Sequence, residues 1–381
     1  MLIQMALTAL VVALLPLATV WVSNDADKYR KLVWVTLFLT FDLVLFGGFT
    51  RLTDSGLGCP DWPGCYGQAN PLQAHAEISH AQALMPTGPV TPSKAWIEMI
   101  HRYLALAVGV LIVAQMLVAW RRRLKIGPQA PRFSPALPTA VFGLVCLQGA
   151  FGAWTVTLKL QPVIVTAHLL LGLCLLAALA WLAAQQGSPG DSPDRITATA
   201  AANRQAAALQ TPALIALMLL VLQIALGGWV STNYATLACT DFPLCQGIWL
   251  PQMDFADGFT LWRGLGKTGG GDYLPFSALT AIHWTHRSFA FVAIACAGWV
   301  GYRALQLPEL RNTGRWLLMA LTMQFATGVS TIYLKWPLLL AVAHNGGAAL
   351  LVLLLVMLNY RTRNPTVTAL DRPTMQLRPT A

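Results

Sequence analysis

Four histidines recur at related positions of the sequence. His101 begins the stretch HRYLALAVGV, and His286 begins the related stretch HRSFAFVAIA. His168 and His344 end a second pair of related stretches, LQGAFGAWTVTLKLQPVIVTAH and MQFATGVSTIYLKWPLLLAVAH. A lone histidine inside a membrane is more often a packing residue, but two pairs in register favour ligands because ionisable groups are costly there. Two imidazoles suit the axial positions of a haem iron, whereas a zinc centre needs three or four protein ligands.

One position beside these histidines differs between the two repeats. EMIHR at 98–102 corresponds to HWTHR at 283–287, so Glu98 stands one helical turn before His101 where the other repeat has His283. Residues at i and i+3 share a helix face, which predicts that Glu98 faces the group bound by His101. Two interpretations remain open: an acid, base or charge-stabilising group beside a reactive haem, or a carboxylate exposed to water at the membrane surface.

Four basic residues lie near the same depth. Arg102 and Arg287 directly follow the first histidine of each pair, and Lys159 and Lys335 precede the last helix of each repeat. A guanidinium group binds a haem propionate through its planar fork. Long cationic side chains also reach lipid headgroups by snorkelling, so both interpretations remain open.

A seven-residue cysteine motif also occurs twice. CPDWPGC runs from Cys59 to Cys65, and CTDFPLC runs from Cys239 to Cys245. The thiols of such a short loop meet if a turn brings the α-carbons within about 7 Å, and an oxidising compartment permits the bond. We expect each motif to form a disulfide that holds an outer loop over one haem site. The cysteines inside apolar runs are predicted to be packing residues: Cys146, Cys174 and Cys296.

The elements that position these residues are predicted to be membrane helices. The chain has 56% hydrophobic and 10% charged residues, with a mean hydropathy of +0.57, which indicates an integral membrane protein. A run of about 20 apolar residues spans the bilayer as a helix. Nine such runs predict an all-α fold: 2–22, 32–50, 97–119, 136–157, 162–184, 210–230, 279–303, 314–333 and 337–360.

The repeats divide the nine predicted helices into two halves. Four helices in each half make both halves run in the same direction, which predicts two four-helix bundles related by a pseudo-twofold axis along the membrane normal. The bundles cover residues 32–184 and 210–360. The remaining segments are an extra N-terminal transmembrane helix with its loop, 1–31, a cytoplasmic connector, 185–209, and a cytoplasmic tail, 361–381.

The basic residues predict the orientation in the membrane. Most of the 25 lysines and arginines fall in connections on one side, which the positive-inside rule assigns to the cytoplasm. The long loops 51–96 and 231–278 then face outward, with the N-terminus outside and the C-terminus inside. The net charge of +10 therefore indicates membrane lipid as a partner and no nucleic acid.

The sequence resembles the haem A synthase family, whose members oxidise a methyl group of haem O to the formyl group of haem A for terminal oxidases. The resemblance implies that His101 and His168 flank the substrate haem O, that His286 and His344 bind haem b, and that Glu98 is the catalytic carboxylate. The motifs that carry it are GGFTRLTDSGLGCPDWPGC (47–65), EMIHRY (98–103), VTAHLLLG (165–172), HWTHR (283–287) and AHNGGA (343–348).

The same resemblance implies a bacterial-type inner (cell) membrane and a reaction through hydroxylated intermediates, with the formyl oxygen taken from water. It implies haem O synthase, a protohaem farnesyltransferase, and terminal oxidase assembly factors as partners, and it leaves the electron acceptor unknown. It also implies that the pair Cys59 and Cys65 is redox-active in part of the family, so we expect it to be the more reducible pair. Two features depart from the family: the run 2–22, and Asp42, which aligns with Leu222 of the other half.

Two other classes of function fit part of the pattern. A diheme b-type membrane electron carrier explains four histidines in a repeat, but it does not explain why only one half has Glu98. A transporter built from parallel repeats predicts no bound haem.

Overall fold

A computed structural model describes residues 1–126, 134–186 and 200–363, so most of the predicted connector and tail lies outside the described residues. The described residues form helices, with only isolated β-bridges beside them, which confirms the all-α fold. The helices are α1 (Leu2–Val22), α2 (Lys28–Leu52), α3 (His75–Leu84), α4 (Pro92–Ile126), α5 (Ala136–Thr157), α6 (Pro162–Gln185), α7 (Ala200–Ala208), α8 (Gln210–Thr232), α9 (Phe255–Gly258), α10 (Phe276–Leu305), α11 (Arg311–Tyr333) and α12 (Leu338–Arg363).

Eight helices of the described residues are long and apolar enough to cross a membrane, as predicted for α1, α2, α4, α5, α6, α8, α10 and α12. The ninth predicted span forms helix α11 but is not among them. Polar residues such as Gln324, Thr327 and Ser330 reduce its mean hydropathy. Helix α11 nevertheless packs between α10 and α12, in the place that α5 takes between α4 and α6.

The helix contacts fit two four-helix bundles related by a pseudo-twofold axis. In one half α2 packs against α4 and α6, and α5 packs against both of those helices. In the other half α8 packs against α10 and α12, and α11 packs against both. The halves meet through α2 with α12 and through α6 with α8, which are corresponding contacts.

Residues at corresponding positions touch each other where the halves meet. The Arg51 guanidinium donates to the carbonyl oxygen of Ser231 at 2.5 Å, and the Tyr234 hydroxyl donates to Asp54 at 2.7 Å. In both pairs the partners are 180 residues apart. Corresponding residues lie closest to each other at the axis that relates them, so these contacts support the pseudo-twofold arrangement.

The apolar core is shared by the two halves. The largest cluster of buried residues includes side chains of α2, α4, α6, α8, α10, α11 and α12. Leu176, Leu179 and Leu355 within it are fully buried. Tight packing of this kind is sensitive to the loss of single methylene groups, so the core fixes the helices that carry the four histidines.

Helix α1 packs on α2 and α4, and no corresponding helix contacts the second half among the described residues. Near its start, Met5 is buried in a cluster with Cys59, Cys65 and Met99. The extra helix therefore supports the first cysteine loop. The other departure from the family, Asp42, is exposed on the surface of α2.

The prediction that the three remaining cysteines are packing residues is wrong for Cys146 and Cys174, which are exposed, while Cys296 is half-buried. Lipid tails are as apolar as a protein core, so an apolar sequence context does not distinguish exposed positions of a membrane helix from core positions.

Candidate haem-binding sites

Each of the four histidines faces a glycine of the preceding long helix. The pairs are His101 with Gly47, His168 with Gly152, His286 with Gly227 and His344 with Gly328. A Cβ atom added to the glycine would lie 2.9 Å from Cε1 of His286 and 2.9 Å from Cε1 of His344. Real Cβ atoms do not approach that closely, so glycine is what lets an imidazole lie against the neighbouring backbone.

Three of these histidines also contact a glutamine one turn before the glycine. The Gln223 amide nitrogen lies 3.1 Å from Nδ1 of His286. Gln148 lies 3.4 Å from Nε2 of His168, and Gln324 lies 3.3 Å from Nε2 of His344. The glutamines lie on α8, α5 and α11, and sequence analysis assigned them no role although the spacing Gln-x-x-x-Gly recurs at all three.

The second pair of histidines shares a cavity. His286 and His344 both line it, together with Arg287 and apolar side chains such as Phe291 and Ala348. A haem has an apolar macrocycle, two axial positions and anionic propionates, and these surroundings supply a counterpart for each. The residues of the second half therefore fit a haem.

Buried polar atoms without a partner point to the same kind of group. Within the described residues, Nδ1 of His168, Nη1 of Arg287 and Oε1 of Gln223 are buried and unbonded. Buried polar atoms in proteins are rarely left without a partner, so a bound group is expected beside them. No cluster of three or more His, Cys, Asp or Glu side chains that could hold a metal ion occurs in this part of the chain.

Both predicted disulfides are present. The α-carbons are 4.9 Å apart for Cys59 and Cys65 and 4.7 Å apart for Cys239 and Cys245, and all four residues are buried. The aspartate inside each motif shapes the turn that follows it.

In the first loop, the Asp61 carboxylate accepts the backbone N–H groups of Tyr66 at 2.6 Å and Gly67 at 2.7 Å. In the second loop, Asp241 accepts the corresponding groups of Gln246 and Gly247. Tyr66 has a left-handed backbone with φ of 50°, a conformation that needs support in a non-glycine residue. The repeated aspartate therefore fixes the same turn in both loops.

Glu98 is buried, with 4% of its surface exposed, so the interpretation of a water-exposed carboxylate is wrong. Its Oε2 accepts the backbone N–H of Cys59 at 2.8 Å, and its Oε1 accepts from Nη2 of Arg102 at 2.5 Å. Helix spacing alone did not predict these contacts with the loop. In the second half, Nδ1 of His283 accepts the backbone N–H of Cys239 at 3.2 Å, so Glu98 and His283 bind the same point of the two loops.

Arg102 is buried and bonded to the protein, so it does not snorkel. Besides Glu98, its guanidinium donates through Nη1 to the carbonyl oxygens of Asp61 at 2.9 Å, Pro63 at 3.1 Å and Gly64 at 2.5 Å. Only 8% of the residue is exposed. A propionate bound by Arg102 would therefore have to replace hydrogen bonds that tie α4 to the cysteine loop.

Arg287 makes fewer bonds than Arg102. Its Nη2 donates to the carbonyl oxygen of Leu244 at 2.9 Å, and its Cζ lies 5.2 Å from the centre of the Phe242 ring. Its Nη1 is buried without a partner, and the residue lines the cavity with His286. The lysines Lys159 and Lys335 lie exposed in corresponding turns with positive φ, before α6 and α12.

Comparison with known proteins agrees with this architecture. The family model for COX15-CtaA, described as cytochrome oxidase assembly protein, matches residues 30–356. A heme A synthase of Shewanella oneidensis is 42% identical over 334 residues, which cover 87% of this chain and 96% of that protein. A heme A synthase of Mesorhizobium japonicum is 30% identical over 354 residues, covering 87% and 91%.

A helical membrane fold with paired histidines under disulfide-closed loops thus defines the class of protein. The chain belongs to the COX15-CtaA family of cytochrome oxidase assembly proteins.

Proposed function

We propose that this protein is a haem A synthase, an oxidoreductase of a bacterial cell membrane that converts the methyl group of haem O to the formyl group of haem A. The observation that carries the proposal is a charge difference one helical turn before His101 and His286, within a repeated framework. Both halves have paired histidines and a cysteine loop, but among the described residues only the first has a buried ion pair at this position, formed by Glu98 and Arg102. Relatives named heme A synthase align with most of the chain, which supports the assignment.

We assign haem b to the second half. His286 and His344 would hold its iron, and Arg287, whose Nη1 is buried without a partner, would bind a propionate. The shared cavity supports this assignment. An electron-transfer group benefits from an apolar site with two fixed ligands, because such a site keeps water and substrates from the iron.

We assign the substrate haem O to the first half, between His101 and His168. The haem supplies the oxidising chemistry when it is bound. The overall change is R–CH₃ + H₂O → R–CHO + 4 H⁺ + 4 e⁻, so four protons and four electrons must leave the site. Glu98 is the group that we expect to accept a proton from, or to stabilise positive charge on, the reacting carbon.

Arg102 has a supporting role in this scheme. Its Nη2 donates a hydrogen bond to Oε1 of Glu98 and so fixes the carboxyl group beside the loop. It also binds three carbonyl oxygens of the segment between Cys59 and Cys65. Arg102 therefore fixes the loop between Cys59 and Cys65 and the Glu98 carboxyl group relative to each other.

The chemistry also defines what must act before and after this protein. A farnesyltransferase acting on protohaem must supply haem O, and the assembly of a terminal oxidase must take up haem A. We place the cysteine loops on the outer face and the basic connections in the cytoplasm, following the distribution of charge.

The test is the pigment content of Glu98→Gln protein. Glutamine retains an acceptor for the N–H of Cys59 but loses the charge, so we expect bound haem with haem O or a partly oxidised product in place of haem A. His283→Gln is the matched control and should yield haem A. Haem A from Glu98→Gln at the normal level would contradict the assignment, and haem b alone in both halves of the unmodified protein would favour the diheme carrier.

A further inference from the structure

The two cysteine loops differ in the residues that follow each motif. The segments 65–70 and 245–250 correspond, because each begins with the last cysteine of its motif and forms the same isolated β-bridge. They read CYGQAN and CQGIWL, so three apolar residues in the second loop replace glutamine, alanine and asparagine in the first. Ile248, Trp249 and Leu250 are 52%, 68% and 71% exposed. An exposed run of large apolar residues in a loop indicates an interaction surface.

In the first half, protein covers the corresponding place. Ala69, which aligns with Trp249, is buried in the cluster that contains Met5 of α1 and Met99 of α4. The carbonyl oxygen of Ala69 accepts from the Tyr103 hydroxyl at 2.7 Å. Helix α1 therefore supports this side of the first loop by direct packing.

In the second half, a tryptophan of α10 holds the aligned residue. Trp284 lies two residues before His286, and Met99 lies two residues before His101, so the two positions correspond. The indole N–H of Trp284 donates to the carbonyl oxygen of Trp249 at 3.0 Å. Met99 is fully buried, whereas Trp284 is only half-buried. The face that α1 covers in the first half is thus left partly open in the second.

This open face of α10 continues along the helix. Val292, Trp299 and Tyr302 are about half exposed, and none of the three lines the cavity of the second half. At 3.6 residues per turn they lie within about 80° of Trp284 around the helix, so they form one stripe on a helix that is apolar enough to cross a membrane. Such a stripe faces lipid when the helix spans the bilayer.

The ends of the stripe match the thickness of a bilayer. Tyr302 follows Trp284 by 18 residues, which is about 27 Å at 1.5 Å per residue. The hydrocarbon core is about 30 Å thick, and Trp and Tyr are enriched at both of its boundaries. Trp284 therefore lies at one boundary, and its hydrogen bond holds Trp249 at the same depth.

We propose that Ile248, Trp249 and Leu250 insert into the bilayer interface and anchor the second cysteine loop to lipid, in the place where α1 supports the first. Lipid is the occupant because the three residues are continuous, through Trp284, with the lipid-facing stripe of α10. Apolar side chains at this boundary bind in proportion to the area that they bury, and an indole has both an apolar body and a polar edge. The anchoring requires no bound haem, so it is independent of the proposed function.

The first test measures the surroundings of two corresponding residues in lipid nanodiscs. Ile248→Cys and Gln68→Cys, each in protein whose three free cysteines are replaced by alanine, carry a nitroxide label. Both native side chains are exposed. We expect the ratio of collisions with oxygen to collisions with a water-soluble nickel complex to be about tenfold higher at 248 than at 68, because the interface admits oxygen and excludes the hydrated complex.

Two results of this measurement would overturn the proposal. A ratio at 248 no higher than at 68 would place the apolar residues in water. Protection of the label at 248 from both reagents would mean that protein, a second copy or another partner, covers them instead of lipid.

The second test removes the two supports separately in nanodiscs. Trp249→Ala combined with Leu250→Ala should increase alkylation of the second cysteine pair after mild reduction about tenfold, because opening of the loop no longer withdraws two large apolar side chains from the bilayer. The first pair should react as before. Met5→Ala is the matched control and should expose the first pair and not the second. If the double variant, with unchanged helical circular dichroism, leaves the second pair as protected as before, lipid does not hold the loop.

Discussion

In the first half, the backbone N–H of Cys59 donates to a carboxylate, and in the second half the N–H of Cys239 donates to an imidazole. The arginine that follows differs accordingly. Arg102 pairs with Glu98 and with loop carbonyl oxygens, whereas Arg287 keeps a buried Nη1 unbonded beside the cavity. Where the acceptor is a carboxylate, the arginine pairs with it, and where the acceptor is an imidazole, the arginine keeps one nitrogen unbonded. A repeated framework can therefore hold two sites with different electrostatics.

The largest effect is expected from Glu98→Ala. Removing one partner of a buried ion pair leaves the Arg102 charge uncompensated, at a cost of about 3–5 kcal/mol. We expect loss of haem A and opening of the first loop, measured by alkylation of Cys59 and Cys65 after mild reduction. His283→Ala leaves only an N–H without a partner, about 1–3 kcal/mol. Equal exposure of the two cysteine pairs in these variants would remove the distinction between the halves.

The exchange His283→Glu converts the second half to the first. The new carboxylate should pair with Arg287 and draw its guanidinium from the cavity, so we expect retention of haem b to fall about tenfold. The measurement is haem b per protein after dilution in detergent. The reverse exchange, Glu98→His, is the control, and we expect it to change the haem b content far less than His283→Glu does. Full haem b in His283→Glu would show that Arg287 does not serve a propionate.

A smaller effect is expected at the glycines. Gly227→Ala places a Cβ atom 2.9 Å from Cε1 of His286, and such overpacking costs about 1–3 kcal/mol. We expect a changed low-spin electron paramagnetic resonance signal of haem b. Gly109 has nothing within 4 Å of an added Cβ, so Gly109→Ala should leave the spectrum as it is. A normal spectrum in both variants would mean that the imidazole is not held against the backbone.

The smallest effect is expected at the turn of the second loop. Burial acts to raise the pKa of Asp241, but the backbone N–H groups of Gly247 and Gln246 outweigh it and hold the pKa below its usual range. The support of the turn is therefore present above the ordinary carboxyl pKa of about 4 and is lost as the pH falls through the lowered pKa. Asp241→Ala should remove this acid dependence and should slightly weaken the turn at neutral pH. Limited proteolysis of the loop at several pH values measures both effects. Identical acid dependence in the variant would assign it to another group.

Much of this architecture could be predicted from the sequence because it follows from apolar run length and from repetition. The limits of α5 and α6 agree with the predicted spans to within one residue, and both disulfides follow from the short cysteine spacing. Helix α11 was harder to recognise as a membrane span, because a helix packed between two neighbours tolerates polar residues that lower its mean hydropathy.

The contacts of Glu98 and Arg102 could not be predicted. They join α4 to a loop about 40 residues earlier in the chain, and such long-range pairs leave no periodic signal. The glutamines were different, since Gln148 and Gln324 align in the repeat. Gln223, which contacts His286 in a similar way, has no such counterpart, because the aligned residue in the first half is Leu43.

The contacts between Arg51 and Ser231 and between Asp54 and Tyr234 have a consequence for how such a protein can arise. In a dimer of identical subunits, a residue on the twofold axis meets its own copy. Arginine would then face arginine, and aspartate would face aspartate. Repulsion between like charges disfavours both contacts. A duplicated chain is free of this restriction, because its two copies can mutate separately. Contacts between different residues at the pseudo-twofold axis are thus open to a duplicated chain, and they allow the two copies to specialise while remaining joined.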